Sequence, residues 1–187
     1  MANTNAPNGF RPVRHLTGGV VRANEYPIAS GTGADIFAGD IVKLLDTGLL
    51  TVAAATDVNL IGVFQGVQWI DTDGTVRFEK KWPSGQVTRG AENAKAFVFD
   101  DPATVFEAQC TTGTSFTQSM VGNNADITAT AGNTSTNISK HSIAISGAAA
   151  ASAQIRILGL AGNSELGDAA RVECIINEHL LRSTSGI

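Results

Sequence analysis

Apolar and polar positions along this 187-residue chain come in short runs, broken every few residues by Gly, Asp, Asn or Pro. That rhythm predicts β-strands rather than helices. Ile41–Leu45 and Leu49–Ala53 flank Asp46-Thr47-Gly48 and read as a hairpin. Leu60–Trp69 reads as one long strand, and its Gly62 and Gly66 mark bulges or tight bends. Gln68–Ile70 and Thr75–Glu79 flank Asp71-Thr72-Asp73-Gly74, a second hairpin whose Asp73-Gly74 supplies positive-φ turn chemistry. In its second arm Val76 and Phe78 alternate with Arg77 and Glu79, which predicts one buried and one wet face. Ala96–Phe99 and Thr104–Ala108 are two further strands on either side of Asp100-Asp101-Pro102.

The flanks have another texture. In residues 1–25 Pro7 and Pro12 deny helix, while Asn8-Gly9 and Gly18-Gly19 mark turns, so an extended N-terminal arm is expected. Residues 111–153 hold two charges, Asp126 and Lys140, amid Ser, Thr, Gly, Ala and Asn. There Ser115–Val121 fits one short helix, and Gly147 with Ala148–Ala151 reads as a loop tip. Gln154–Leu158 and Arg171–Asn177 are strands joined by a Gly/Asn-rich loop. The expected fold is all-β. A small β-barrel or sandwich lobe spans 26–109, and a second Ser/Thr/Gly/Ala-rich β lobe spans 110–187. The last strand is apolar enough for the two lobes to share a core.

Charge sharpens the picture of the arm. The chain carries a net −4, yet its first 24 residues contain Arg11, Arg14 and Arg22 and no acid. A basic, Pro-containing leader on an acidic body reads as an arm that docks. Phe10 and Val13 would anchor it, and Arg11 and Arg14 would form bidentate bonds to carboxylates. Deleting residues 2–16 is then expected to leave a folded body. At 16% the charged residues are fewer than the usual quarter, which suits a surface made to be desolvated against a partner. The acidic balance disfavours nucleic acid as a partner. No apolar run approaches the length of a membrane span, and the opening MANTNAPNGF lacks the features of a secretory signal. Cys110 and Cys174, without CxxC spacing, read as buried inert thiols folded in a reducing cytoplasm.

Motifs for catalysis are missing. The sequence has no GxSxG, HExxH, Walker loop or GxGxxG, and His15, His141 and His179 are scattered. Asp71-Thr72-Asp73-Gly74 lacks the ligands of a calcium loop and reads as a turn. Neighbouring Asp100 and Asp101 point opposite ways in a strand, which disfavours a glycosidase pair. Trp69, Trp82, Tyr26 and Phe64 form a candidate sugar platform, with core packing the default. No metal site and no cofactor are expected.

Several stretches resemble a family of tailed-bacteriophage virion proteins of the capsid decoration, or cement, type. These are Asn8-Gly9-Phe10-Arg11-Pro12 with His15, Gly39-Asp40-Ile41-Val42 followed by Leu44, and Ile61–Gln68. Asp100-Asp101-Pro102 with Val105-Phe106-Glu107 and Gln109 comes next, then Gly122–Asp126, Arg156-Ile157-Leu158 and Ile176–Leu181. Their order along most of the chain carries the resemblance. It implies a virion structural protein without enzymatic activity, made in the host bacterial cytoplasm and located on the outer capsid surface. The implied partners are the major capsid protein and further copies of the chain, as a trimer rather than a dimer. Membrane and nucleic acid are not expected as partners. The arm residues Phe10, Arg11, Val13, Arg14, His15 and Arg22 are the expected contacts to the capsid or a neighbour. The alternative from another class is a glycan-binding, adhesin-like virion surface module.

Overall fold

The computed structural model describes residues 3–148 and 152–183. Among them run fourteen strands: β1 (Arg11–His15), β2 (Asn24–Ile28), β3 (Ile36–Phe37), β4 (Ile41–Leu44), β5 (Leu50–Val52), β6 (Leu60–Ile70) and β7 (Val76–Glu79), then β8 (Lys81–Trp82), β9 (Ala94–Phe99), β10 (Thr104–Gln109), β11 (Asn124–Thr128), β12 (Ser142–Ala144), β13 (Ile155–Leu160) and β14 (Arg171–Ile176). The fold is all-β and sandwich-like. One sheet has the order β1-β10-β14-β13-β11-β12, the other β2-β9-β6-β4-β5, with β7 also on β6. The strands β3 and β8 form a separate two-stranded ribbon. Among the described residues helix is confined to single 3₁₀ turns; in place of the helix expected over Ser115–Val121 there is one such turn, Gln118–Met120.

Strand β6 explains how the layers stack. Leu60 and Val63 join a core with Phe106, Ile127, Ile155, Ile157, Val172 and Cys174 of the first sheet. Ile61, Phe64, Val67 and Trp69 join a second core with Ile36 and Trp82 of the ribbon. Strict alternation would not send residues 61, 64, 67 and 69 to the same side. Register shifts between Leu60 and Gly62 and between Phe64 and Gly66 make it possible, bulges beside the glycines that predicted them. A Cβ at Gly62 would overlap the Phe99 carbonyl oxygen, so no larger residue fits there.

The hairpins form at the expected places: β4 pairs with β5 and β6 with β7, all antiparallel. The lobe boundary differs from the sequence reading of 26–109 and 110–187. Residues 100–103 cross from one sheet to the other, so β9 and β10, neighbours in the chain, lie in different sheets. The last strand, β14, pairs with β10, and the core between the sheets belongs to both lobes. The expected arm, residues 1–25, is also placed differently. Within it β1 is an edge strand on β10, and Asn24 and Glu25 begin β2 on β9. Of the expected loop tip, residues 149–151 lie outside the described residues.

Candidate functional site

The N-terminal segment is laid along its own body by a series of polar contacts. Asn3 donates to the carbonyls of Glu165 and Asp168. Ala6 N–H donates to Gln109 Oε1 at 2.9 Å, and Gln109 Nε2 donates back to the Thr4 carbonyl at 2.8 Å. Arg171 reaches Asn8 Oδ1 and the Ala6 carbonyl, each at 3.0 Å. Gly9 turns the chain with φ +73°, where a Cβ would sit 2.6 Å from the Gly39 carbonyl oxygen. Phe10, 1% exposed, then drops into the core between the sheets, and its N–H bonds to the Gly39 carbonyl.

The predicted site residues therefore separate. Phe10 is interior rather than a free anchor. Arg11 and Arg14 are exposed on β1, and Val13, 46% exposed, stands at a register shift that Pro12 and Arg14 flank. Arg14 is paired with Glu173 of the same chain at 2.7 Å. His15 Nε2 lies 3.0 Å from Asp101 Oδ2, and its Nδ1 accepts from the N–H groups of Thr17 and Gly19. Arg22 is exposed between β1 and β2. A basic, proline-bearing segment folds back because one phenylalanine and a ladder of backbone bonds hold it, without a longer apolar stretch.

The feature that gathers residues from distant parts of the chain is an open groove of about 850 Å³. Asn8, Phe10, Arg11 and Pro12 form one wall, buried Val63, Phe64 and Val67 of β6 form the floor, and half-buried Phe97 and Phe99 of β9 lie beside them. Phe78, Lys80 and Ile138 complete the rim. Sequence reasoning placed Phe78 and Val76 on a buried face; they are 67% and 51% exposed. Alternation shows that a strand has an apolar face, and here nothing within the described chain covers it.

The other chemistry-bearing groups are spent internally. Asp40 Oδ2 accepts from Phe37 N–H at 2.8 Å, and Asp40 Oδ1 faces His141 Nε2 at 3.4 Å. His141 Nδ1 accepts from Ile41 N–H, and its own N–H donates to Ser139 Oγ at 2.9 Å. Burial pushes Asp40 up to about 6 and His141 down to about 4. Both imidazole nitrogens face groups other than the Ser139 hydroxyl, and all three residues are buried, so the cluster fastens the 139–141 segment to the β3–β4 turn. His179 is buried elsewhere and also lowered to about 4, chiefly by desolvation. Asp100 accepts from Asn24 Nδ2 and from Tyr26 O–H at 2.6 Å, while Asp101 turns to His15 and Ala103. Asp71 and Asp73 cap backbone N–H groups of their own turn. Among the described residues no group of three or more His, Cys, Asp or Glu is placed to hold a metal ion.

Three of the four aromatics of the candidate sugar platform are interior, and the fourth, Tyr26, is half-buried with its hydroxyl on Asp100. Trp82 and Phe64 are fully buried, and Trp69 is 5% exposed. Trp69 and Trp82 meet edge to face with centroids 5.6 Å apart. Cys110 and Cys174 are buried free thiols, and burial pushes Cys110 up to about 12 and Cys174 well above its ordinary value. Among the described residues no helix is long and apolar enough to cross a membrane. In comparisons with known proteins the chain matches no family model, no curated protein and no solved structure.

Proposed function

We propose that the protein is a capsid decoration protein, binding the outer surface of a tailed-bacteriophage head and stabilising contacts between capsomers. The observation that carries this reading is the apolar groove. Parts of two stretches that resemble cement proteins, Asn8–Pro12 and Ile61–Gln68, lie some fifty residues apart in sequence and border the same groove. Phe97, Phe99, Phe78 and Ile138 add apolar area to it. An open groove with exposed Phe78 and Ile138 on its rim and half-buried Phe97 and Phe99 in its wall fits a protein–protein contact. Its partners are the major capsid protein and further copies of the chain, and its place is the virion exterior. The interior position of Trp69, Trp82 and Phe64 removes those side chains from the glycan-binding alternative.

The test is co-sedimentation of the full chain with undecorated heads of the phage that carries it. Full-length protein is expected to pellet with heads. Ile138→Asp, on the groove rim at a 37% exposed side chain, is expected to stay in the supernatant while keeping its circular dichroism. Absence of full-length protein from the pellet overturns the reading.

A further inference from the structure

Strand β7 is patterned for a core that its own chain does not supply. All four residues of Val76–Glu79 are exposed. Val76 stands opposite Ile70 and Phe78 opposite Gln68, so Val76, Phe78 and the 38% exposed Ile70 share one face. Among the described residues β7 pairs with β6 alone, which leaves its outer edge without a ladder at Val76 and Phe78; just beyond them the Lys80 carbonyl accepts from Ala38 N–H. The hairpin closes with Asp71 N–H to the Thr75 carbonyl. Counting outward from that pair, Arg77 and Glu79 face β6 with their backbone groups, and Val76 and Phe78 turn theirs outward. An exposed edge carrying large apolar side chains is a template for another strand.

We propose that the strand it takes is β7 of a second copy, paired antiparallel about a two-fold axis at Phe78, so that the two β6–β7 sheets become continuous. The charges select this partner and this register. A two-fold axis at Arg77 would set two guanidinium groups against each other, and one at Glu79 would do the same with two carboxylates. An axis at Val76 would set Glu79 opposite Asp73. With the axis at Phe78 each Arg77 lies opposite the Glu79 of the other copy, twice, and Phe78 lies opposite Phe78. Those Arg–Glu positions are the non-hydrogen-bonded pairs of the new ladder, where facing side chains come closest. Arg77 already touches Asp71 through Nε at 3.3 Å, but its side chain is 45% exposed and open to a second carboxylate. The contact is isologous and closed, so it makes a dimer, in place of the three-fold assembly the sequence suggested. It shares Phe78 and Glu79 with the groove of the capsid reading, and it is tested apart from that reading because it forms between copies in solution.

Sedimentation equilibrium of the full chain alone, over about 1–200 µM, tests it. The wild type is expected to be a dimer that dissociates on dilution. Arg77→Glu and Glu79→Arg each put like charges across the axis, and each is expected to raise the dimer dissociation constant at least about tenfold. An equimolar mixture of the two variants restores opposite charges at every pair and is expected to dimerise, as is the double swap Arg77→Glu with Glu79→Arg. Phe78→Cys is expected to give a disulfide-linked dimer under mild oxidation, since the Cα atoms of such a pair lie about 5.5 Å apart. A wild type that stays monomeric, a dimer that survives both single variants, or a mixture that fails to associate overturns the pairing. A monomer that still pellets with heads overturns the pairing alone, whereas a dimer that does not pellet overturns the capsid reading alone.

Discussion

Arg14 on β1 and Glu173 on β14 meet at 2.7 Å although β10 lies between their strands. The pair therefore reaches across β10 and ties the first strand in the chain to the last among the described residues. With side chains 49% and 29% exposed, it is solvent-screened and worth about 0.2–1 kcal/mol. A double-mutant cycle of Arg14→Ala and Glu173→Ala, read by urea unfolding, should give a coupling in that range that shrinks as salt is raised. A coupling that ignores salt would mean the two side chains do not pair in solution.

The N-terminal segment is predicted to be structural. Phe10 is 1% exposed in the core shared by the two sheets, so Phe10→Ala should cost about 3–5 kcal/mol of unfolding free energy. Deleting residues 3–16 removes Phe10 and all of β1, and the remaining body should unfold well below the full chain on heating. This reverses the expectation that the body survives without its arm. Equal melting temperatures for the two proteins would restore the free-arm picture.

Three buried groups dominate the pH dependence between about pH 4 and 6. Burial holds Asp40 at about 6, against 3.8 in its unfolded form, and holds His141 and His179 at about 4, against 6.5. The Asp40 contribution is full below 3.8 and is lost as pH rises through about 6. The histidine contributions are full above 6.5 and are lost as pH falls through about 4. Between those limits unfolding adds two protons at the histidines and releases one from Asp40. The raised carboxyl of Glu178 acts in the same sense as Asp40, the balance still favours the histidines, and stability should fall toward acid by at most about 1.4 kcal/mol per pH unit. Asp40→Asn removes the opposing contribution, so its stability should climb about twice as steeply between pH 4 and 6. Urea titrations at several pH values measure both slopes, and identical slopes would show that Asp40 ionises normally in the fold.

Both thiols should be silent in the native state. Burial raises Cys110 and Cys174 above their ordinary range, which removes the thiolate that reacts. A water-soluble disulfide reagent is expected to modify neither cysteine in buffer and both in denaturant. Rapid native labelling would show that the core opens around β10–β14.

What the sequence revealed, and what it hid, follows from the range of each signal. The β4–β5 and β6–β7 hairpins were legible because Asp46-Thr47-Gly48 and Asp71–Gly74 carry turn chemistry between alternating strands. The bulges of β6 were legible from Gly62 and Gly66. Strand partners separated by long stretches of chain were not. Nothing local tells that β9 and β10, separated by the four residues 100–103, enter different sheets, or that Arg11 will lie opposite Glu107. Val76 and Phe78 were read as buried because alternation fixes only which side chains share a face. The groove was hidden for the same reason, since its walls come from residues near 10, 65, 78, 98 and 138.

Strand β10 lies between β1 and β14, the first and last strands of the described chain. A chain emerging from the ribosome makes β10 long before β14, so one side of that strand waits while the remaining strands are synthesised. Such sequence-distant closure is slow, and the waiting edge is the place where a neighbouring nascent chain can insert. High-level expression should therefore lose yield to strand exchange at β10, and slower translation between β10 and β14 prolongs the time this edge stays open.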